Sequence, residues 1–143
     1  MTPTRRELCL GLAAGLAVQA SGQTSKPAPQ HGTLLPSKVY PFDTLPVHGS
    51  ASGSSRPVLD GLLHNGCHLE VHETELAPGG APHPPHHHEH EEMFLIRTGT
   101  LEITIDGVSQ RFGPGSVAFV ASNAVHGVHN AGTDRAQYFV VAF

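Results

Sequence analysis

Residues 79–99 read GGAPHPPHHHEHEEMFLIRTG. Five histidines (His83, His86, His87, His88, His90) and three glutamates (Glu89, Glu91, Glu92) crowd into this stretch. Imidazole and carboxylate are donors for divalent transition metals, with metal–nitrogen bonds near ~2.1 Å. A tract of this composition can also be a solvated loop that holds metal loosely, so its positions have to be told apart. Along a strand, side chains alternate between faces. His86 and His88 then share a face and can reach one ion, while His87 points the other way. Glu92 shares their parity, but four straight strand residues cover about 13 Å at ~3.3 Å each. Glu92 joins the two histidines only if the chain turns around Glu89–Glu91; otherwise it is no ligand. The charged HEHE run followed by apolar MFLI fits such a turn. A fourth ligand has to come from elsewhere. His126 is the candidate, because it sits between strand segments rather than in a polar tract.

These residues need a scaffold, and the composition limits its kind. The chain has 143 residues, enough for one domain with a real core. Charged residues are few, with 16 glycines and 12 prolines, which favours a turn-rich β domain. Net charge is −4 and the Lys and Arg residues are scattered, so no basic patch offers a footprint for nucleic acid. From residue 67 the hydrophobic period is two. CHLEVHETEL alternates, MFLIR is a short apolar run, and LEITI alternates through Leu101, Ile103 and Ile105. Asp106-Gly107 gives a two-residue hairpin turn. SVAFV, VHGVHN and QYFVVAF add further strand candidates. Many short strands with regular turns imply a sandwich or barrel.

The start of the chain reads differently. MTPTRRELCLGLAAGLAVQA has a basic start at Arg5 and Arg6, an apolar run from Leu8 to Val18 and a small-residue cleavage site at Ala20. The run is too short to span a bilayer, which needs roughly 20 residues. Residues 1–20 are expected to be an export signal, of the twin-arginine or the simple kind. The mature protein is then periplasmic or extracellular, with no membrane attachment. One cysteine, Cys67, remains after the signal; its alternation with Leu69 and Val71 implies a packed apolar role. Residues 21–35 read as a flexible linker. Residues 36–66 read as an arm lying on the domain, with a mobile loop near 48–56.

Two linked motifs carry a family resemblance. Gly80, five residues, His86-x-His88, three residues, Glu92, six residues, Gly99 is similar to the first cupin motif with every spacing kept. Pro114-Gly115, then His126, three residues, Asn130 resembles the second. The resemblance covers roughly residues 67–143. It implies a double-stranded β-helix, or jelly roll, commonly dimeric, with metal inside the barrel. It also implies that His86, His88, Glu92 and His126 are the ligands and that Asn130 is structural. Ser116 stands where an Asp is common in the family, and Ala121 and Val125 where prolines are common; these departures touch loops, not ligands.

The remaining histidines and the pocket wall follow from parity. His87 is expected in solvent and His83 at the rim, and His129 is expected to point away from His126. His90 shares the ligands' parity and is a pocket candidate. His68, Glu70 and His72 share one strand face with Leu76. If Leu76 points inward so does His72, which would then be a candidate proton shuttle. Phe94 and Ile96 share Glu92's face, Val128 shares that of His126, and Phe119 with either Tyr138 or Phe139 completes an apolar wall. Arg97, of opposite parity, belongs on the surface.

Three imidazoles and one carboxylate leave an ion with open positions and admit Mn, Fe, Co, Ni, Cu or Zn. Folded export through a twin-arginine route would let Mn or Fe be loaded in the cytoplasm; unfolded export would favour Cu or Zn outside. Three functions fit a small-molecule pocket of this kind. The first is an oxygen-dependent enzyme of the dioxygenase or oxidoreductase type, which the apolar Phe94 and Ile96 wall favours; Glu92 and His72 are the catalytic candidates of the site, as proton carriers in the second class. The second is a non-redox isomerase, lyase or hydrolase, which needs polar pocket residues. The third is a non-catalytic metal- or ligand-binding protein.

Overall fold

The computed structural model describes residues 32–143. The expected export signal, and most of the expected linker, lie outside them. Among the described residues the chain forms a short 3-10 turn, η1 (Phe42–Thr44), and nine strands. These are β1 (His48–Gly49), β2 (Gly53–Leu62), β3 (His68–Leu76), β4 (Glu92–Thr98), β5 (Leu101–Ile105), β6 (Val108–Phe112), β7 (Val117–Val120), β8 (His126–Asn130) and β9 (Ala136–Ala142). They make two antiparallel sheets, ordered β1-β2-β3-β9-β4-β7 and β6-β5-β8. The last strand runs between β3 and β4, so pairing joins distant parts of the chain. This is the jelly-roll arrangement, all β, as the alternating apolar pattern implied.

Alternation explains which faces meet. In β9, Ala136, Tyr138, Val140 and Ala142 are buried while the residues between them are not. In β8 the buried set is His126, Val128 and Asn130. With Leu101, Ile103, Phe94 and Ile96 these form one core between the sheets. Asp106 and Gly107 take positive φ, as a two-residue turn matched to strand twist requires. At Gly99, with φ +81°, a Cβ would lie 2.6 Å from the Ala136 Cα, so the turn into β5 admits only glycine.

Asn130 fastens the end of this core. Its Nδ2 donates to the Leu76 and Asp134 carbonyls at 3.0 and 2.7 Å, and its Oδ1 accepts from the Gly132 N–H at 2.9 Å. Asn130→Ala leaves the buried Leu76 carbonyl without this donor and removes two partly buried bonds. It is expected to destabilise the fold by roughly 2 kcal/mol or more. A denaturant midpoint equal to that of the parent protein would rule this out.

The N-terminal segment differs from its expected form. Residues 48–56 are not a mobile loop: His48 pairs with Ser55 and Gly49 with Ser54, and β2 pairs with β3 from Gly53 opposite Leu76 to Leu62 opposite His68. Leu34 bridges to Leu62, and the Leu35 N–H donates to the Leu62 carbonyl, so this end of the expected linker is pinned. Ser and Gly read locally as loop, yet any residue with a free backbone can complete a ladder. Pro57 fits because the register shifts between Pro57 and Leu59, and a bulge tolerates the missing donor. Cys67 is exposed rather than packed. It lies just before β3, where its carbonyl closes the hairpin by accepting from Leu63, and strand parity does not reach it.

Candidate metal centre and cavity

His86 and His88 do not lie on a strand, contrary to the parity reading. They sit in the segment between β3 and β4. This segment is held by an isolated bridge in which His86 and His126 exchange backbone hydrogen bonds of 2.9 and 2.8 Å. The Asn123 N–H donates to the His88 carbonyl at 2.7 Å. The chain then bends at Glu89 and His90 and enters β4 at Glu92. This bend, not strand alternation, brings the carboxylate back to the imidazoles.

One nitrogen from each of His86, His88 and His126 lies within 4.8 Å of the others, on the scale of a site with ~2 Å metal bonds. The Glu92 Oε1 is 3.4 Å from His88 Nε2, and its Oε2 is 3.2 Å from His126 Nε2. His88 Nδ1 donates to the His90 carbonyl at 2.8 Å, and His126 Nδ1 donates to the Ala124 carbonyl at 3.0 Å. A carbonyl can only accept, so these bonds fix each tautomer. In the neutral rings both Nε2 atoms are bare acceptors, and both face an oxygen that also only accepts. A positive charge is needed between them. His86 Nδ1, His88 Nε2 and His126 Nε2 are buried without hydrogen-bond partners. Such orphaned groups are rare in native proteins, and three in one place fit a metal ion as the missing partner. Burial, and secondarily the neighbouring histidines, hold His86 below its ordinary pKa, which favours the neutral, ligating form.

His90 is stacked on His88, with ring centroids 3.6 Å apart and planes 3° from parallel, and its Nε2 is 3.6 Å from Glu92 Oε1. His88, His90 and Glu92 form a second group with one ligand atom each within 4.8 Å of the others, so His90 stands beside the candidate centre rather than in the cavity lining, where it was expected. His83 lies beside the His86 ring at 4.2 Å and reaches the rim of the cavity. His87 is exposed, and His129 turns to Glu102 at 3.9 Å.

A cavity of about 450 Å³ adjoins the centre and touches it at Glu92. Its apolar side is made by Phe94, Val128, Val140, Leu76 and Tyr138. Ile96 is buried in the core beyond the cavity, one pleat further along β4. Phe119 is 51% exposed and lies outside, because β7 turns Val120 inward and Phe119 with its partner Met93 outward. Arg97 is largely exposed, but its guanidinium returns to within 3.7 Å of the buried Glu73. Leu76 does point inward, and His72 lines the cavity on its face. His72 Nδ1 is 3.0 Å from Glu70 Oε1, so Nδ1–H donates there and Nε2 is left as an acceptor. Register aligns His72 with Val140 and Val140 with Phe94, which sets His72 roughly 10 Å across the sheet from Phe94. Thr74 lies between His72 and Leu76 on the same face, a position alternation could have disclosed. The serines of the β1–β2 hairpin also line the cavity, and no local signal announced them.

A two-sheeted jelly roll with histidines and a glutamate gathered between strand ends, beside a half-open cavity, defines a β-barrel with a candidate metal centre. A model of the cupin domain matches residues 72–142. The chain belongs to the cupin superfamily. Solved structures agree on the fold. The KdgF structure from Halomonas sp. has a TM-score of 0.62 at 17% identity, covering 73% of this chain and 93% of that one. The polyketide cyclase RemF from Streptomyces resistomycificus has a TM-score of 0.60 at 20% identity, covering 73% and 78%. A cupin 2 conserved barrel domain protein from Salinispora arenicola has a TM-score of 0.60 at 22% identity, covering 74% and 87%.

Proposed function

We propose that this cupin is a metal-dependent enzyme of the dioxygenase or oxidoreductase type, acting on a small molecule held against the apolar wall. The observation that carries this reading is the grouping of His86, His88 and His126, each with a buried nitrogen that has no partner, two of which face the two oxygens of Glu92, beside a cavity that reaches that glutamate. Mn, Fe, Co, Ni, Cu or Zn would suit the donor set, and such an ion would supply Lewis acidity or one-electron chemistry. Phe94 and Val128 exclude water and orient the substrate. His72, with its Nδ1–H on Glu70, takes the proton of a substrate hydroxyl at Nε2. In dioxygenation both atoms of O₂ end in the product, so no external reductant is required. The N-terminal arginine pair and short apolar run support export, which would place this chemistry outside the cytoplasm.

Oxygen uptake by metal-loaded protein with a flavonol or a catechol is the test. Uptake that depends on the metal supports the reading; no uptake with either compound sinks it. His72→Gln is expected to keep the metal and lower turnover about 100-fold, the lower end of what a positioned base contributes. A second reading, non-redox isomerisation or lysis, is favoured by the polar groups on the other side of the cavity. It would show as substrate conversion under strictly anaerobic conditions.

A further inference from the structure

The cavity has a second wall that the family match does not include. Residues 48–57 precede the matched segment, yet His48, Ser50, Ser52 and Ser55 from this stretch line the cavity. Register explains the inward turn of His48 and Ser55, while Ser50 and Ser52 lie in the connecting turn and Ser54, of the other parity, also reaches the lining. Ser55 is opposite Thr74 and also opposite His48, while Pro57 is opposite His72. Opposed residues share a face in an antiparallel pair, and Thr74, His72 and Leu76 are on the cavity face. Arg56, one residue on, faces away toward Glu73. The result is a wall of hydroxyls and imidazoles across the cavity from Phe94 and Val128. Burial pushes the Tyr138 phenol far above its ordinary pKa, so the floor between the two walls carries no charge.

The wall also has a charge character. Every described Lys and Arg is engaged elsewhere: Lys38 over Tyr40, Arg56 and Arg97 with Glu73, Arg111 with Glu102, and Arg135 with Glu75. None lines the cavity, which carries Glu70 and Glu92 instead. A substrate carboxylate or phosphate directed at this wall would meet no Lys or Arg side chain and would lie near the Glu70 carboxylate, which repels it. A neutral hydroxyl would find donors and acceptors at no such cost.

We infer that the β1–β2 hairpin is the specificity wall of the site, and that it selects a neutral ring compound with an apolar face and a hydroxylated far edge, rejecting anionic analogues. This rests on the metal-dependent reading for the orientation of the substrate, with its metal-facing end at Glu92.

The test is anaerobic calorimetric titration of metal-loaded protein with three flavonols. They share the coordinating head and differ only at the para position of the far ring: hydroxyl, methyl or carboxylate. The hydroxyl compound is expected to bind about three- to tenfold more tightly than the methyl one, the range one net hydrogen bond spans. The carboxylate compound is expected to bind most weakly. In Ser52→Ala/Ser55→Ala the hydroxyl and methyl compounds are expected to converge, with metal content unchanged. Equal affinities in the parent protein, tightest binding of the carboxylate, an unchanged ranking in the double variant, or no binding by any of the three would each overturn the inference. Ranked binding without oxygen uptake would remove the dioxygenase reading and leave the wall standing; oxygen uptake without ranking would do the reverse.

Discussion

His126→Ala is expected to weaken metal binding by more than the 10–100-fold that loss of an outer partner to a ligand costs. The residue is 1% exposed and occupies the place where two sheets and the β3–β4 segment meet. Its Nδ1 is committed to the Ala124 carbonyl, so Nε2 has one task, facing Glu92. Without that ring Glu92 Oε2 loses its neighbour, and only the His86–His88 pair and the other oxygen remain. The backbone bonds between residues 86 and 126 do not depend on the side chain, so the segment stays docked. Metal content after dialysis should fall well below one per chain. The metal-induced rise in thermal stability, about 2.7 kcal/mol at a hundredfold excess over Kd, should vanish with it. His126→Gln, which fills more of the space, separates ligand loss from a packing defect, and both variants should lose metal. His87→Ala, on an exposed ring of the same tract, should lose none. Full stoichiometry in both His126 variants would mean that the four-residue centre is wrong.

Glu73→Ala should produce the largest loss of stability. Glu73 is 0% exposed, yet it lies on the outward face of β3, opposite in parity to His72 and Thr74. Its Oε2 accepts from Arg56 Nη1 at 3.1 Å, and Arg97 Nη1 is 3.7 Å from Oε1. The two guanidiniums flank the Phe42 ring of η1 at 4.6 and 5.1 Å. The carboxylate thus joins β2, β3 and β4 and fastens the N-terminal segment over them. Removing it strands Arg56, whose side chain is only 18% exposed, without its counter-ion. Breaking one side of a buried pair costs about 3 kcal/mol or more, roughly 10 °C in Tm for a domain of this size. Metal content should not change, because the centre lies on the other face. A Tm within a degree or two of the parent value would show that the cluster is solvated and that η1 is held by other contacts.

The sequence was informative wherever a rule is local. Period-two alternation in LEITI put Leu101 and Ile103 on one face, and both lie in the core, because each side chain's face is set by its own strand; QYFVVAF was legible as a strand, but that Tyr138 rather than Phe139 turns inward was settled by its neighbours. Asp106-Gly107 announced its turn through the left-handed backbone it requires. Spacing grouped His86, His88, Glu92 and His126 by resemblance, and the need for a bend before Glu92 followed from the length of a residue. Parity failed where there was no strand to carry it. His86 and His88 are set by a bridge to β8, His90 by stacking on His88, and Cys67 by a hairpin end. Phe119 went astray because burial of Val120, a tertiary fact, decides which side of β7 faces the core. Only the tertiary structure turned the serine-rich segment into a wall of the cavity. A strand of Ser, Gly and Pro has no hydrophobic face to declare it. It is held by one edge of β3, whose other edge is taken by β9 from the far end of the chain.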